Sequence, residues 1–241
     1  MMPRDAIIVS QMRAGSTFLV SALSSHPDVK AYDGEVCYPG SPWMKEGDSN
    51  VDALRRYYKV SHEDTSTVGK ITYAQFDSEV INWVATKKMP VIHLTRENYF
   101  LWANSAFQDQ ATSDPRYNHF FEGMEKPEPP RYEYPPQKWF AWMQHCEHVQ
   151  KTNRAIIQGL GVDVFEVTYE RITQGGQRVN RLYGSVAKGI CSFLGVLYYQ
   201  SLPTARRKSA QWSLKEVITN WQEVHNYISR TRFKEMMEGK F

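Results

Sequence analysis

Hydrophobic and polar residues follow two different periods along this chain, and the changes from one to the other predict its elements. Short runs of apolar and β-branched residues are typical of buried parallel strands. Four such runs cover residues 6–9, 68–73, 90–95 and 162–168. Segments with apolar residues at helical spacing separate them. Because strands and helices alternate, the pattern predicts an α/β fold with a central parallel sheet, flanked by helices and joined by right-handed crossovers.

The helical segments carry capping residues that set several of their ends. Asp77 is placed to cap one helix, and the sequence S-L-K-E from Ser213 is a capping box that opens the last one. Gly195 is a suitable residue to end another. The predicted helices begin at residue 16 and at Ser213 and otherwise cover residues 51–58, 78–86, 97–108, 136–160 and 179–194.

Residues 109–136 interrupt this alternation. Half of the chain's twelve prolines fall in this segment, and five tyrosines and phenylalanines are interleaved with them. A loop of this length in a compact domain is usually functional or mobile. At 241 residues the chain is long enough for one large domain. We therefore predict a single domain over residues 1–241, with a proline- and aromatic-rich insertion at about 109–136.

The chemistry of the chain is concentrated in its first strand–loop–helix unit, A-I-I-V-S-Q-M-R-A-G-S-T-F-L. A strand, a glycine turn and a helix N-terminus in this order build an anion site, because the first N–H groups of the helix lack internal partners. Gly15 lets a phosphate approach the backbone, Ser16 and Thr17 add hydroxyl donors, and Arg13 adds a fixed planar charge. An ordinary βα turn with a solvated arginine is the alternative interpretation.

The loop departs from the common nucleotide-triphosphate motif, G-x-x-x-x-G-K-[ST]. Ser10 stands in place of the first glycine and Ser16 in place of the lysine, so magnesium-dependent kinase chemistry is poorly supported. The pattern R-x-G-S-T-F-L, followed by H-P-x-V, instead resembles the 5′-phosphosulfate loop of sulfotransferases. The bacterial carbohydrate sulfotransferases, of the trehalose and nodulation-factor type, are the most similar branch. The resemblance implies a P-loop-like fold and 3′-phosphoadenosine-5′-phosphosulfate (PAPS) as sulfuryl donor.

A second motif, L-T-R-E-N with a serine nine residues after the arginine, matches the other half of the family's cofactor site. Arg96 ends a predicted strand, where open α/β sheets bind ligands, and Ser105 lies about two and a half helical turns further on. In the family an arginine and a serine so placed hold the 3′-phosphate. Strand capping by Arg96 and a solvated Ser105 are the alternative.

Weaker resemblances extend the likeness to the family over nearly the whole chain except residues 109–136. The strand V-F-E-V-T-Y-E resembles the family's V-x-Y-E strand end, whose tyrosine lies near the adenine. A basic run falls where the family places C-terminal basic residues around the cofactor. The predicted cofactor-binding residues are Arg13, Ala14, Gly15, Ser16, Thr17, Phe18, Arg96, Ser105, Tyr169, Arg207 and Lys208.

Sulfuryl transfer needs stabilisation of the leaving oxygen and a base for the acceptor hydroxyl, and it needs no metal. Arg13 is the predicted leaving-group stabiliser. Glu35 is the predicted base, because it follows the first helix by a short loop and matches the carboxylate of the bacterial carbohydrate enzymes. His93 is the second choice for the base, since the phenol enzymes use histidine. The triplet His145, Cys146 and His148 lacks a suitably spaced fourth zinc ligand.

Composition restricts the partners and the compartment. A net charge of +3 fits an anionic cofactor but is low for nucleic-acid binding. Three separated cysteines imply no disulfide framework, and no secretory signal or apolar run of membrane-spanning length is present. We expect a cytoplasmic enzyme that sulfates a hydroxyl of a carbohydrate or a related small metabolite, its partner being a small-molecule acceptor such as a sugar, a lipid or another metabolite. A P-loop kinase and a non-catalytic nucleotide-binding scaffold of the same fold are the alternatives.

Overall fold

The computed structural model has the predicted alternation of strands and helices. It describes residues 2–60, 64–112, 128–173, 181–182, 184–198, 202–204 and 212–237. Its strands are β1 (Ala6–Ser10), β2 (Val29–Ala31), β3 (Ser66–Thr72), β4 (Val91–Thr95), β5 (Val164–Thr168), β6 (Arg181–Leu182) and β7 (Leu202–Pro203). Its helices are α1 (Ser16–Leu23), α2 (Asn50–Tyr58), α3 (Ser78–Lys87), α4 (Tyr99–Ala111), α5 (Pro136–Gln158), α6 (Tyr169–Ile172), α7 (Gly184–Leu194), α8 (Leu214–Val217), α9 (Trp221–Ile228) and α10 (Lys234–Met237).

Five of the strands form one parallel sheet in the order β2-β3-β1-β4-β5. The central strand β1 pairs with β3 on one side and β4 on the other, and all of its residues are buried. A parallel strand covered on both faces must be apolar throughout, which explains the sequence A-I-I-V. The sheet confirms the predicted α/β class with a central parallel sheet and flanking helices.

The core of the sheet takes in side chains from α1 and α7. Ala6 and Ile8 of β1 share one buried cluster with Ile92 and Leu94 of β4, to which both helices contribute apolar residues. Two tyrosines of α2 anchor that helix on the sheet, because the hydroxyls of Tyr57 and Tyr58 donate to the carbonyls of Val68 and Ala6. The packing of these helices against the sheet therefore accounts for the burial of β1.

Contact density divides the chain into two compact units. The first comprises Met1–Thr95 and Asn153–Ala205 and contains the whole parallel sheet. The second comprises Arg96–Thr152 and Arg206–Phe241 and is built from helices around an aromatic core. Within it the rings of Phe100 and Trp139 stack with centroids 4.9 Å apart. The described part of the predicted insertion, from residue 128, joins this core through Tyr132, whose amide donates to the Val217 carbonyl.

The structure adds short elements that the sequence pattern did not indicate, among them an edge strand and a 3-10 turn. The edge strand β2 has only three residues, one of them an exposed lysine, which is too few for a period of two to be recognised. A 3-10 turn, Tyr73–Gln75, follows β3, so Tyr73 is not the last residue of the strand as predicted. The Gln75 side chain accepts from the Thr72 amide and closes this turn.

Three predicted helices have different bounds. Asn98 caps α4 by accepting from the Leu101 amide, so the helix begins two residues later than expected and runs to Ala111. The prediction of a helix over 179–194 was wrong at its start, because residues 181–182 pair with β7 and α7 begins at Gly184. The last helix is split, because Ile218 leaves α8 to pair with Tyr132 and a new helix starts at Trp221.

Candidate functional site

The loop between β1 and α1 has two departures from ordinary backbone geometry, on either side of Ala14. Arg13 has φ 65° and Gly15 has φ 87°, so the chain turns sharply before the helix begins. A positive φ is uncommon for a residue with a side chain and is often found where backbone is shaped for a ligand. Gly15 occupies the N-cap position of α1, where it has no side chain to cover the first helical N–H groups. The loop therefore presents these donors in a tight concave turn.

Tyr169 holds this turn from the side. A Cβ atom added to Gly15 would lie 2.5 Å from Cδ2 and 2.9 Å from Cε2 of the Tyr169 ring. Tyr169 is the first residue of α6, and its ring packs against the core cluster beneath the sheet's carboxyl end. The predicted cofactor residues Gly15 and Tyr169 are thus in direct contact. The contact itself also gives Tyr169 a structural role in shaping the loop.

Lys70 is a cation of this site that the sequence analysis did not single out. It lies on β3 beside Ile8 of β1 and is only 3% exposed. Its Nζ donates to Oγ1 of Thr17, in the first turn of α1, over 3.1 Å. The sequence gives one indication of this role, which is a lysine in a strand, V-G-K-I-T, whose other residues are apolar or small. A buried ammonium at a phosphate-type loop supplies a point charge where an anion would sit.

The same lysine connects the loop to Glu35 through its backbone. The amide of Val36 donates to the carbonyl oxygen of Lys70 over 3.0 Å, and Val36 is fully buried. The segment that carries Glu35 is therefore fixed at the carboxyl end of β3. Lys70 thus contacts the phosphate-type loop with its side chain and the Glu35 segment with its carbonyl.

The carboxylate of Glu35 is held by the 3-10 turn that follows β3. Nε2 of Gln75 donates to Oε2 of Glu35 over 3.0 Å. Cys37, two residues further on, is buried, and its thiol donates to the Asn50 carbonyl over 3.3 Å. Burial, together with the nearby charges of Asp77 and Glu35, raises the pKa of Cys37 to about 12. This thiol therefore stays protonated and is not a nucleophile at neutral pH.

His93, the second choice for the base, is fully buried with both ring nitrogens engaged. Its Nε2 lies 2.7 Å from the Tyr73 hydroxyl, and its Nδ1 lies 3.4 Å from Oε1 of Glu166. Since a carboxylate only accepts, Nδ1 carries the proton and the tyrosine donates to Nε2. Burial lowers the pKa of His93, and the Glu166 carboxylate offsets part of that change. A neutral, fully bonded histidine in mid-strand is a structural residue.

Arg96 and Ser105, the predicted 3′-phosphate ligands, belong to the second unit. Arg96 follows β4 and is 6% exposed, and its amide donates to Oε1 of Gln150 over 3.2 Å. Burial raises the pKa of the Cys146 thiol to about 12. The positive charge of the Arg96 guanidinium lowers that pKa, but its effect is smaller than that of burial. Ser105 is half-buried on α4. Arg207 and Lys208 lie outside the described residues.

Within the described ranges, no group of three or more histidine, cysteine and acidic side chains is arranged to hold a metal ion. His145 and His148 are exposed, whereas Cys146 between them is buried. In the same part of the chain, every helix is too short or too polar to cross a membrane.

Comparison with known proteins gives matches of structure only. No protein-family model matches the sequence, and no curated protein matches it. A sulfotransferase from Alicyclobacillus acidocaldarius has a similar structure, with a TM-score of 0.52 and 15% identity over 99% of this chain and 96% of that one. Mouse sulfotransferase SULT7A1, solved in complex with PAP, gives a TM-score of 0.44 and 16% identity over 81% of this chain. The match covers 59% of the mouse chain's length.

The match to the bacterial sulfotransferase defines the class of fold. The fold built on the five-stranded parallel sheet is similar to that of the bacterial sulfotransferase, and the similarity extends over 99% of this chain. In fold, the chain is sulfotransferase-like. At this level of identity the likeness extends to the fold alone, so activity has to be argued from the site.

Proposed function

We propose that the chain is a PAPS-dependent sulfotransferase that transfers a sulfuryl group to a hydroxyl of a carbohydrate or a related small metabolite. One observation carries the proposal. The β1–α1 loop offers uncapped helical N–H groups, and the buried Lys70 adds its ammonium at Thr17 in the first turn of α1. A buried cation beside such a loop is suited to an anionic group such as the 5′-phosphosulfate.

The residues present fit this donor. Ser10, at the carboxyl end of β1, has a buried Oγ with no hydrogen-bond partner among the described residues, and a phosphate or sulfate oxygen is a suitable one. The Tyr169 ring at Gly15 leaves room for backbone but not for a side chain, so the loop keeps its shape only with glycine at this position. Arg13, Ala14, Gly15, Ser16, Thr17 and Phe18 are the residues proposed to hold the 5′ end.

PAPS would supply the activated sulfuryl group and leave as 3′-phosphoadenosine-5′-phosphate (PAP). The acceptor hydroxyl oxygen bonds to sulfur while the bond from sulfur to the bridging phosphate oxygen breaks, and the electron pair stays on that oxygen. In the proposed mechanism Arg13 and Lys70 stabilise this growing charge, as do the N–H groups of α1. Glu35 accepts the hydroxyl proton as general base. The acceptor hydroxyl releases one proton, so this reaction needs no proton acceptor besides Glu35.

We assign the 3′-phosphate to Arg96 and Ser105, the adenine to Tyr169, and further cofactor contacts to Arg207 and Lys208. The insertion at residues 109–136 is proposed to form the acceptor-binding lid, with aromatic faces for a sugar ring. We propose that both units belong to one sulfotransferase domain.

Calorimetry tests the cofactor assignment. The chain should bind PAP more tightly than AMP or ATP, with or without magnesium. Arg96→Ala should remove a charge-assisted contact of about 1.5–3 kcal/mol, which corresponds to a Kd for PAP raised roughly 10- to 150-fold. Arg230→Ala, which removes an exposed arginine from the same unit, is the matched control and should leave the Kd unchanged.

Labelled PAPS with a panel of sugars, phenols and lipids then separates an enzyme from a scaffold. Transfer to a hydroxyl compound supports the proposal, whereas PAP binding without any transfer supports a nucleotide-binding scaffold. Equal affinity for ATP and PAP, or an Arg96→Ala variant that binds PAP normally, contradicts the cofactor assignment.

A further inference from the structure

We infer that Gln75 is a positioning residue for the base: it fixes which oxygen of the Glu35 carboxylate is available to take the acceptor's proton. This inference rests on the proposed function and adds to it a residue that lies outside both predicted phosphate motifs. Gln75 belongs to the 3-10 turn after β3, forty positions from Glu35 in the chain.

The hydrogen bonds of Gln75 settle the orientation of its amide group. The backbone amide of Thr72 can only donate, and it donates to Oε1 of Gln75 over 2.9 Å. The NH₂ group must then point the other way, where Nε2 donates to Oε2 of Glu35 over 3.0 Å. An ionised carboxylate only accepts, so both contacts agree on one orientation of the amide. Gln75 is therefore a donor fixed toward one oxygen of Glu35.

The turn that carries Gln75 is itself anchored at both ends. The side-chain amide of Asn50 donates to the Gln75 carbonyl over 3.3 Å and to Oδ2 of Asp77 over 2.8 Å. On the inner side, the hydroxyl of Tyr73 bonds to the buried His93 ring. A donor held by such contacts loses little rotamer freedom when it binds a carboxylate, which is the advantage of a preorganised support.

The hydrogen bond from Gln75 gives the two oxygens of the Glu35 carboxylate different roles. Oε2 of Glu35 already accepts a hydrogen bond from Gln75, which makes it the less basic oxygen, so in the proposed reaction the hydroxyl proton goes to Oε1. The hydrogen bond also opposes rotation of the carboxylate about its last torsion, which is otherwise a soft degree of freedom. Among the described residues, Asp77 and Glu35 both raise the pKa of the nearby Cys37 thiol, so the two carboxylates act on the same surroundings. Gln75 is the neutral donor in this acidic surrounding.

Two substitutions separate the donor from the rest of the side chain. Gln75→Glu keeps an oxygen for the Thr72 amide but replaces the donor with a second carboxylate facing Glu35. We expect kcat to fall roughly 10- to 100-fold, the scale of a misplaced catalytic group, with KM for PAPS little changed. The acid limb of the pH–rate profile should move to higher pH, because a like charge disfavours ionised Glu35. Gln75→Met should lower kcat similarly without that displacement of the acid limb.

Gln222→Glu is the matched control, because it makes the same change on the exposed surface of α9, where Nε2 of the glutamine donates to Oδ1 of Asn226. It should leave kcat and the acid limb unchanged. If the wild type transfers sulfuryl groups but Gln75→Glu behaves like Gln222→Glu, the positioning role is overturned while the proposed function stands. If the wild type binds PAP yet transfers to no acceptor, the proposed function fails and this role fails with it.

A spectroscopic measurement reports on the contact without turnover. In ¹⁵N-labelled protein, the side-chain NH₂ signals of Gln75 are identified by their loss in Gln75→Met. At neutral pH they should have different chemical shifts in the wild type and in Glu35→Gln, because the acceptor changes from a carboxylate to a neutral amide. Signals that are the same in the two proteins would overturn the inference.

Discussion

Replacing Gly15 with alanine tests the geometry of the phosphate-type loop directly. At φ 87° an L-residue pays the cost of a left-handed conformation, about 1–2 kcal/mol. The added Cβ would also lie 2.5 Å from Cδ2 of Tyr169, well inside van der Waals contact. The Tyr169 ring or the loop must move, and overpacking of this kind costs a further 1–3 kcal/mol, as a rough range.

Gly40 offers a matched control for the backbone term alone. Its φ is 94°, close to that of Gly15, and within the described chain no atom lies within 4 Å of a Cβ built on it. Gly40→Ala should therefore lower the free energy of unfolding by about 1–2 kcal/mol, whereas Gly15→Ala should lower it by about 2–5 kcal/mol. Only the difference between the two variants measures the contact with Tyr169.

Urea unfolding of both variants, followed by circular dichroism, gives the two values. The double variant Gly15→Ala/Tyr169→Ala should be less destabilised than the sum of its single variants, because removing the ring removes the clash. Calorimetry with PAP should show binding weakened by Gly15→Ala and kept by Gly40→Ala. Equal losses of stability in the two glycine variants, or additive effects in the double variant, would refute the reasoning.

Two further predictions concern the base and the buried histidine. Glu35→Gln should lower turnover about 10²- to 10⁴-fold while PAP binding, measured by calorimetry, persists; near-normal turnover would discard Glu35 as base. His93→Gln should make stability less sensitive to acid. Burial lowers the pKa of His93, so below about pH 6.5 the unfolded chain takes up a proton that the folded histidine does not, and the wild type loses stability as the pH falls. Urea unfolding at pH 7.5 and 5.5 should show a smaller loss in the variant, and equal losses would contradict this account.

The sequence allowed the sheet and its central loop to be predicted because their signals are local. The run A-I-I-V, the glycine at position 15 and the helical spacing after Ser16 all act within a few residues of one another. The strand β2 was missed because three residues carry no measurable period. The split between α8 and α9 was missed because its cause, the pairing of Ile218 with Tyr132, involves residues far apart in the chain.

The candidate site shows the same division between local and distant signals. The sequence shows that a lysine stands at position 70, but it does not show what the lysine contacts. That contact depends on the register of β3 against β1, which places the ammonium at Thr17. Gln75 reaches Glu35 only after the fold has brought two loops together. The roles of Arg13, Glu35, Arg96, Ser105 and Tyr169 in catalysis and cofactor binding stay predictions.

The double attachment at Lys70 makes the site sensitive to strand slippage. In a strand, successive side chains point to opposite faces, so a slip of β3 by one residue would turn the lysine away from α1. The same slip would also move the carbonyl that holds the Glu35 segment through Val36. A slip of β3 therefore displaces the cation and the proposed base together. A molecule whose β1–β3 pairing is out of register has neither group in place, and one with the pairing correct acquires both at once.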